Sequence, residues 1–304
     1  MQTTPVTRDR LRSSVIAVPP LARDANLRYA AEPNQALIRH IEAGGVDMLL
    51  YGGNANFYHL SLREYGNILE QLAAAAGDDT LVIPSVGPAF GTMMDQAEVL
   101  AGMEFPTVMV LPQQGLTTPT GVADGIRRFV DRFGKPVVVY LKHDGYLEPA
   151  DVAALVAEGR VSWIKYAVVR DDARQDPLLE ELVRQVDPGL MVSGMGEQPA
   201  IVHWREFQLA GFTSGCVCVR PDLSAAMLRA LQASDWPEAE RLRTLFEPLE
   251  DLRNGINPIR VLHSAVALAG LADTGPALPL LSDLEPEHVE TVRHAALELL
   301  RSGS

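Results

Sequence analysis

Short apolar runs rich in β-branched residues alternate with amphipathic segments along most of the chain. The segments at 34–45, 62–77, 121–134 and 148–159 carry apolar residues at helical spacing. The apolar runs have the composition of strands that are buried on both faces of a parallel sheet. The alternation predicts a series of strand–helix units, and therefore an α/β fold. The eight runs lie at 13–18, 46–51, 80–86, 106–112, 136–141, 162–169, 189–195 and 211–219.

Eight strand–helix units favour a closed (β/α)8 barrel over an open doubly wound sheet. An open sheet that binds a dinucleotide would carry G-x-G-x-x-G after its first strand, but here the first run is followed by Pro19 and Pro20. After the eighth run only helices are predicted. Because no polar linker intervenes, we expect residues 1–221 to form the barrel, and residues 222–304 to form its last helix and a helical extension packed on it.

Composition narrows the function classes. The 304 residues are 47% hydrophobic and 21% charged, which predicts a globular protein. A net charge of −13 opposes binding to nucleic acid or to an anionic membrane. No stretch approaches the ~20 apolar residues of a membrane span, and no secretory signal is evident, so we expect a cytoplasmic protein.

Metal chemistry and disulfides are both disfavoured. The chain has two cysteines, Cys216 and Cys218, whose spacing would place them on the same face of one strand, as core residues. The seven histidines include no H-x-H pair, and most of them fall on predicted helices, whereas a metal-dependent barrel needs inward ligands at strand ends. We therefore expect no metal and no organic cofactor.

Lys165 stands out because it interrupts the apolar run SWIKYAVV. The chain has only three lysines among its 26 basic residues, so arginine is its usual surface cation. Near a strand end in an apolar site, desolvation would lower the pKa of the lysine and favour a free amine that can attack a carbonyl carbon. A lysine that reaches the rim or pairs with an acid is the structural alternative.

Two further features lie at neighbouring strand ends. Tyr140 closes the run before that of Lys165 and could relay protons, although a tyrosine there is also typical of a core position with a solvated hydroxyl. The segment GGNAN at 52–56 follows the second run, and its glycines and asparagines suit either a carboxylate-binding loop or an ordinary turn.

These motifs resemble those of the pyruvate-dependent class I aldolases and dehydratases, typified by dihydrodipicolinate synthase and N-acetylneuraminate lyase. The resemblance runs over nearly the whole chain. It includes YGGNANFYHLSLREY, the tyrosine ending the fifth run, W-I-K of the sixth, SGMGE at 193–197, G-C-V-C-V at 215–219 and the closing helices. It implies a (β/α)8 barrel in which Lys165 forms the Schiff base and Tyr140 relays protons. It also implies a pyruvate-like 2-keto acid substrate and a homo-oligomer, a tetramer or a dimer.

The chain departs from the family pattern at several positions. Gly53 and Asn54 stand where the family has two threonines, and Asn56 stands where it has glutamate. Pro112-Gln113-Gln114 replaces a proline and two tyrosines, and Tyr140-Leu141-Lys142-His143 replaces Y-N-x-P. Gly145 replaces the arginine that would identify a dihydrodipicolinate synthase. The predicted substrate-binding residues are Gly53, Asn54, Asn56, Gln114, Lys142, His143 and Val217.

Two functions remain open from the sequence. The first is a lyase, an aldolase or a dehydratase, acting on a 2-keto acid such as a 2-keto-3-deoxy sugar acid. The second is a family member that has lost turnover and serves as a keto-acid-binding or regulatory protein. The replaced threonines favour the second function, and the presence of both Lys165 and Tyr140 favours the first.

Overall fold

Nine short parallel strands form one sheet in the computed structural model, which describes residues 1–303. Each predicted apolar run overlaps a strand, and the strands are shorter than the runs; β7 begins at Val161, one residue before its run. The strands are β1 (Ile16–Ala17), β2 (Met48–Leu50), β3 (Leu81–Ile83), β4 (Ser85–Val86), β5 (Met109–Val110), β6 (Val137–Leu141), β7 (Val161–Tyr166), β8 (Met191–Ser193) and β9 (Gly211–Ser214).

The third predicted run contains two of these strands. β3 pairs with β2, and β4 pairs with β5, with Pro84 between the two segments. Proline has no N–H group to donate to a ladder, so the strand is interrupted there. The strand order β3-β2-β1-β9-β8-β7-β6-β5-β4 therefore begins and ends on the same stretch of chain. The sheet closes into a barrel with eight strand positions, which confirms the predicted (β/α)8 fold.

Twelve α-helices accompany the strands within residues 1–303. Their ends follow local sequence rules, as α5 illustrates: the Thr118 hydroxyl accepts a hydrogen bond from the Gly121 N–H, and Pro119 occupies the first turn. The helices are α1 (Arg8–Ser13), α2 (Ala31–Ala43), α3 (Leu62–Ala75), α4 (Phe90–Leu100), α5 (Pro119–Phe133), α6 (Pro149–Ala157), α7 (Pro177–Gln185), α8 (Ala200–Phe207), α9 (Pro221–Gln232), α10 (Trp236–Gly255), α11 (Pro258–Leu268) and α12 (Pro286–Arg301).

The eighth predicted strand is shorter than its apolar run, and this corrects the placement of the cysteines. β9 ends at Ser214, and Cys216–Cys218 form a turn of 3-10 helix. The Ser214 hydroxyl accepts a hydrogen bond from the Val217 N–H and stabilises that turn. The prediction that Cys216 and Cys218 share one face of a strand is therefore wrong. Both thiols are free and fully buried, so their prediction as core residues is confirmed.

The C-terminal helices cover one side of the barrel mouth. A second apolar cluster joins α10, α11 and α12 to Cys216 and Val219, which follow the end of β9. This packing brings α10 close to the carboxyl ends of β8 and β9. The division of the chain at residues 221 and 222 stays a prediction, and α9 begins at Pro221. None of the helices within residues 1–303 combines the length and the apolar character that a membrane span needs.

Candidate active site

Lys165 and Tyr140 face each other across two neighbouring strands. They are register partners in the β6–β7 ladder, one residue before each strand ends. The Lys165 Nζ lies 4.6 Å from the centroid of the Tyr140 ring, within the range of a cation–π contact. The carboxyl ends of barrel strands are where active sites of this fold gather. The two residues that the sequence singled out are thus adjacent at that end of the barrel.

The Lys165 side chain is buried without a hydrogen-bonding partner or a counter-ion. It is 6% exposed, and within residues 1–303 its ammonium group has no hydrogen bond and no ion pair. Desolvation, and to a smaller extent the positive charges of Lys142 and Arg253, lower the pKa of Lys165 from 10.5 to about 7. A carbonyl-attacking lysine needs this property, because a large share of the amine is then unprotonated at neutral pH.

Gly194 leaves room for Lys165. A Cβ atom at residue 194, just after β8, would lie 2.9 Å from the Lys165 Cγ and 2.7 Å from the Ala167 Cβ. Any larger residue would push the lysine stem out of its channel. This gives a physical reason for the glycine of SGMGE, a motif that the sequence identified only by resemblance.

The Tyr140 hydroxyl is available to bind a ligand. It makes no hydrogen bond to another residue within 1–303, and the residue is half-buried. Burial raises the pKa of Tyr140 to about 12, while the positive charge of Arg253 acts in the opposite direction. The phenol is therefore protonated at neutral pH and can donate a hydrogen bond to a ligand in the barrel mouth.

The segment at 52–56 forms a compact turn over the barrel mouth. The N–H groups of Ala55, Asn56 and Phe57 bond to carbonyl groups within the turn. Those of Gly53 and Asn54 donate no hydrogen bond within residues 1–303, so they are free for a ligand.

The two asparagines of this turn have separate tasks. The Asn54 side-chain amide donates to the Val18 carbonyl at 3.0 Å, which ties the turn to the end of β1. Asn56 is buried and takes the left-handed backbone conformation, with φ of 59°. Asparagine tolerates that conformation better than most residues, which explains its place here.

Three predicted residues line one cavity of about 440 Å³, namely Gln114, Lys142 and His143. Lys142 is solvent-exposed and, within residues 1–303, has no hydrogen bond or ion pair. The His143 Nε2 is buried without a partner, while its Nδ1 lies 3.1 Å from the Asp144 carbonyl oxygen. The remaining lining residues are Tyr58, Pro88, Pro112 and Gln113.

Val217 does not join this cavity. It is fully buried in the 3-10 helix that follows β9, and its N–H is already bonded to the Ser214 hydroxyl. The structure thus brings Lys165 together with Tyr140 and groups three of the binding candidates. It places Gly53, Asn54 and Asn56 in a separate turn on the same rim, and it leaves Val217 in the wall.

Sequence patterns missed a buried polar cluster behind the site. The Glu250 carboxyl group, from α10, accepts the N–H groups of Glu197 and Gln198 at 2.8 and 3.0 Å. The Glu197 carboxyl group accepts the hydroxyl groups of Ser214 and Ser224. Burial and then the charge of Glu197 raise the pKa of Glu250, because two carboxyl groups buried together favour sharing a proton. No motif marked Glu250, whose role depends on long-range packing.

A second missed cluster fixes the loops after β6 and β7. Arg170 pairs with Asp144 at 2.7 Å and with the fully buried Asp176 at 3.1 Å. Asp176 also caps α7 through the Leu179 N–H and accepts the Tyr166 hydroxyl. These contacts hold the strand ends that carry Tyr140 and Lys165. Within residues 1–303, no group of three His, Cys, Asp or Glu side chains is placed to hold a metal ion.

No protein-family model and no curated protein sequence matches the chain. Solved structures do. Dihydrodipicolinate synthase from Bacillus clausii superimposes with a TM-score of 0.83 at 23% identity, covering 97% of this chain and 98% of that one. Sialic acid aldolase from Ruminococcus gnavus gives 0.83 at 16% identity, covering 95% and 97%. A catalytic lysine mutant of the R. gnavus aldolase gives 0.80 at 14% identity, covering 95% and 96%.

These structural similarities extend over nearly the full length of both chains. At such low sequence identities they show a shared fold alone. The resemblance predicted from the sequence motifs is therefore confirmed at the level of architecture, and this chain has the fold of dihydrodipicolinate synthase and sialic acid aldolase.

Proposed function

We propose that this protein is a Schiff-base-forming lyase, an aldolase or a dehydratase, that acts on pyruvate or a related 2-keto acid. The observation that carries the proposal is Lys165, a buried amine with no partner beside the Tyr140 ring, with a pKa lowered to about 7. A sialic acid aldolase of the same fold has a catalytic lysine, which supports this assignment.

The proposed chemistry begins with imine formation. The free amine of Lys165 attacks the C2 carbonyl carbon and forms a carbinolamine. Tyr140 donates its proton to the carbinolamine hydroxyl, which leaves as water, and the protonated imine remains. The positive imine stabilises the tyrosinate that this transfer creates. Two protons have moved, one from the amine nitrogen to the alkoxide oxygen when the carbinolamine forms and one from Tyr140 to the departing hydroxyl, and one water has been released.

The imine then serves as an electron sink. In the cleavage direction, the Tyr140 phenolate takes the proton of the C4 hydroxyl group, the C3–C4 bond breaks, and its electron pair enters the imine to give an enamine and an aldehyde. Protonation at C3 and hydrolysis release pyruvate and restore the amine of Lys165. In the dehydratase direction, the Tyr140 phenolate takes a C3 proton instead, which gives the enamine, and the C4 hydroxyl group then leaves as water with the proton that Tyr140 returns.

Polar groups on the rim would bind the rest of the substrate. We assign the C1 carboxylate to the free N–H groups of Gly53 and Asn54, with Asn56 shaping that turn. Gln114, Lys142 and His143 would contact the distal part of the molecule, because they line the neighbouring cavity. Val217 would serve only as an apolar wall.

Borohydride trapping tests the imine. The protein is incubated with pyruvate and sodium borohydride, and intact mass followed by peptide mapping locates the reduced adduct. We expect one adduct, on Lys165. Lys142 is an internal control, since it is an exposed lysine of the same site. A folded protein that carries no adduct on Lys165 would contradict the proposal.

A second candidate function is a keto-acid-binding or regulatory protein without turnover. It is favoured by the Tyr140 hydroxyl, which has no hydrogen-bonding partner within residues 1–303, and by Gly53 and Asn54 in place of two relay threonines. A panel of 2-keto-3-deoxy sugar acids separates the two functions. An adduct that forms while every panel member stays unconverted would favour the binding protein.

We also propose a homo-oligomer, a tetramer or a dimer, and a cytoplasmic location. Sedimentation equilibrium of the purified chain tests the first proposal, and cell fractionation tests the second.

A further inference from the structure

Arg253 is a buried cation whose charge no acid neutralises directly. Its side chain is 9% exposed, and within residues 1–303 no carboxylate oxygen lies within 4.0 Å of its guanidinium nitrogens. Its protein contacts are weak: Nε lies 3.5 Å from the Pro258 carbonyl oxygen, and the guanidinium contacts the Cys216 thiol. A guanidinium has five N–H donors and stays charged, so most of its donors lack a strong acceptor.

The carboxyl groups nearest to Arg253 are already occupied. Both oxygens of Glu250 accept backbone N–H groups, and both oxygens of Glu197 accept serine hydroxyls. These contacts pin α10 to the loop after β8. Glu250 therefore fixes the position of α10. Arg253 lies one helical turn further along α10, and its N–H donors have no direct carboxylate partner.

The Arg253 guanidinium lies at the carboxyl end of β9. A Cβ atom at residue 215 would lie 3.0 Å from the Arg253 Cζ and from one Nη, so the guanidinium rests on the backbone just beyond β9. Gly215 permits this close approach. The charge of Arg253 also lowers the pKa of Lys165 and opposes the rise in the pKa of Tyr140.

Only β1 lies between β2, which the turn at 52–56 follows, and β9, at whose end Arg253 lies. The Val18 N–H bonds to the Ser214 carbonyl, and the Val18 carbonyl accepts the Asn54 amide. Only the end of β1 separates the free N–H groups of Gly53 and Asn54 from the backbone at residue 215. A carboxylate held by that turn would come within reach of a guanidinium resting on Gly215.

We propose that Arg253, supplied by the C-terminal extension, binds the C1 carboxylate of the 2-keto acid together with the turn at 52–56. This inference rests on the proposed function for the identity of the ligand. A guanidinium binds a carboxylate through two parallel hydrogen bonds, which fixes the orientation of the C2 carbonyl as well as its place. Arg253 thereby supplies binding groups at a rim that lacks the two threonine hydroxyls.

The test separates carboxylate binding from imine chemistry. Oxamate has the size and carboxylate of pyruvate, but its amide carbonyl does not form an imine. Calorimetry would measure oxamate binding to the wild type, Arg253→Met, Arg253→Lys and Arg241→Met. Arg241→Met is the matched control, because Arg241 is an exposed arginine of the same helix that pairs with Glu238.

We expect Arg253→Met to weaken oxamate binding at least about tenfold, Arg253→Lys to weaken it less, and Arg241→Met to leave it unchanged. Circular dichroism and thermal melting check the fold of each variant. Wild-type affinity in a folded Arg253→Met protein overturns the inference, as does a wild type that binds no oxamate. If Arg253→Met does not fold, Arg253→Lys decides, and unchanged affinity in that variant overturns the inference.

Failure of the proposed function gives a different pattern. If oxamate binding depends on Arg253 but pyruvate gives no borohydride adduct, the proposed imine chemistry is contradicted and the proposed carboxylate site at Arg253 is supported. If the adduct on Lys165 forms at the same pyruvate concentration in the wild type and in Arg253→Met, the role of Arg253 in carboxylate binding is contradicted and the imine chemistry is supported.

Discussion

Replacing Lys165 with methionine should make the protein more stable at neutral pH, even though it should abolish imine formation. The lysine is 6% exposed and unpaired, and its pKa is lowered from 10.5 to about 7. Methionine has a similar unbranched stem and no charge. Burying the charged ammonium group of Lys165 costs desolvation free energy in the native state. Removing that group therefore removes this cost and raises the free energy of unfolding.

The magnitude follows from proton linkage. Between pH 7 and 10.5 the unfolded chain keeps the proton of this lysine while the native state has largely lost it. Stability therefore rises with pH across that window, and the penalty is largest below pH 7. At pH 7 the penalty is about 4 kcal/mol. The unfilled ammonium volume costs about 1 kcal/mol, which leaves a net gain of about 3 kcal/mol for Lys165→Met.

Urea unfolding of wild type and Lys165→Met at several pH values between 7 and 10 measures this gain. We expect the difference in unfolding free energy to shrink steadily as the pH rises. Arg241→Met serves as the control, because an exposed arginine stays charged throughout and its effect should not depend on pH. A gain that is independent of pH, or a loss of stability at pH 7, would refute desolvation as the cause.

Three further changes test the site and its support. Tyr140→Phe should slow adduct formation and turnover about a hundredfold or more while ligand affinity is kept, which rapid-quench kinetics measure. Lys142→Met removes a positive charge beside Lys165, so the midpoint of the trapping rate against pH should move above about 7. Asp176→Ala should lower the unfolding free energy by about 1–3 kcal/mol in urea titrations, since the buried Tyr166 hydroxyl and the Leu179 N–H lose their acceptor while Arg170 keeps Asp144. An unchanged rate, midpoint or free energy, respectively, would contradict each expectation.

The barrel was readable from the sequence because its signals are local. A strand buried on both faces must be apolar at nearly every position, and a surface helix must repeat its apolar residues at helical spacing. Details that depend on hydrogen-bond pairing were less readable. Pro84 divides the third strand, and the eighth strand ends at Ser214, although the sequence pattern predicted one strand over each full run.

The same distinction holds for the candidate site. Lys165 was visible because a charge in an apolar run conflicts with its surroundings, and Tyr140 because it ends the preceding run. Val217 was singled out on resemblance to a motif, yet it lies within the wall. Arg253 gave no signal, since an arginine in an amphipathic helix is the ordinary composition of such a helix.

The sequence by itself therefore determined the fold class, the order of strands and helices, and the one amine that is out of place among apolar neighbours. These properties follow from the pattern of residues along one strand or one helix. Only the tertiary structure decided that the Lys165 amine lacks a counter-ion and that α10 brings Arg253 to the rim of the barrel. The burial of a side chain and the charges around it depend on groups that are far apart in the sequence. These groups come together only when the chain folds.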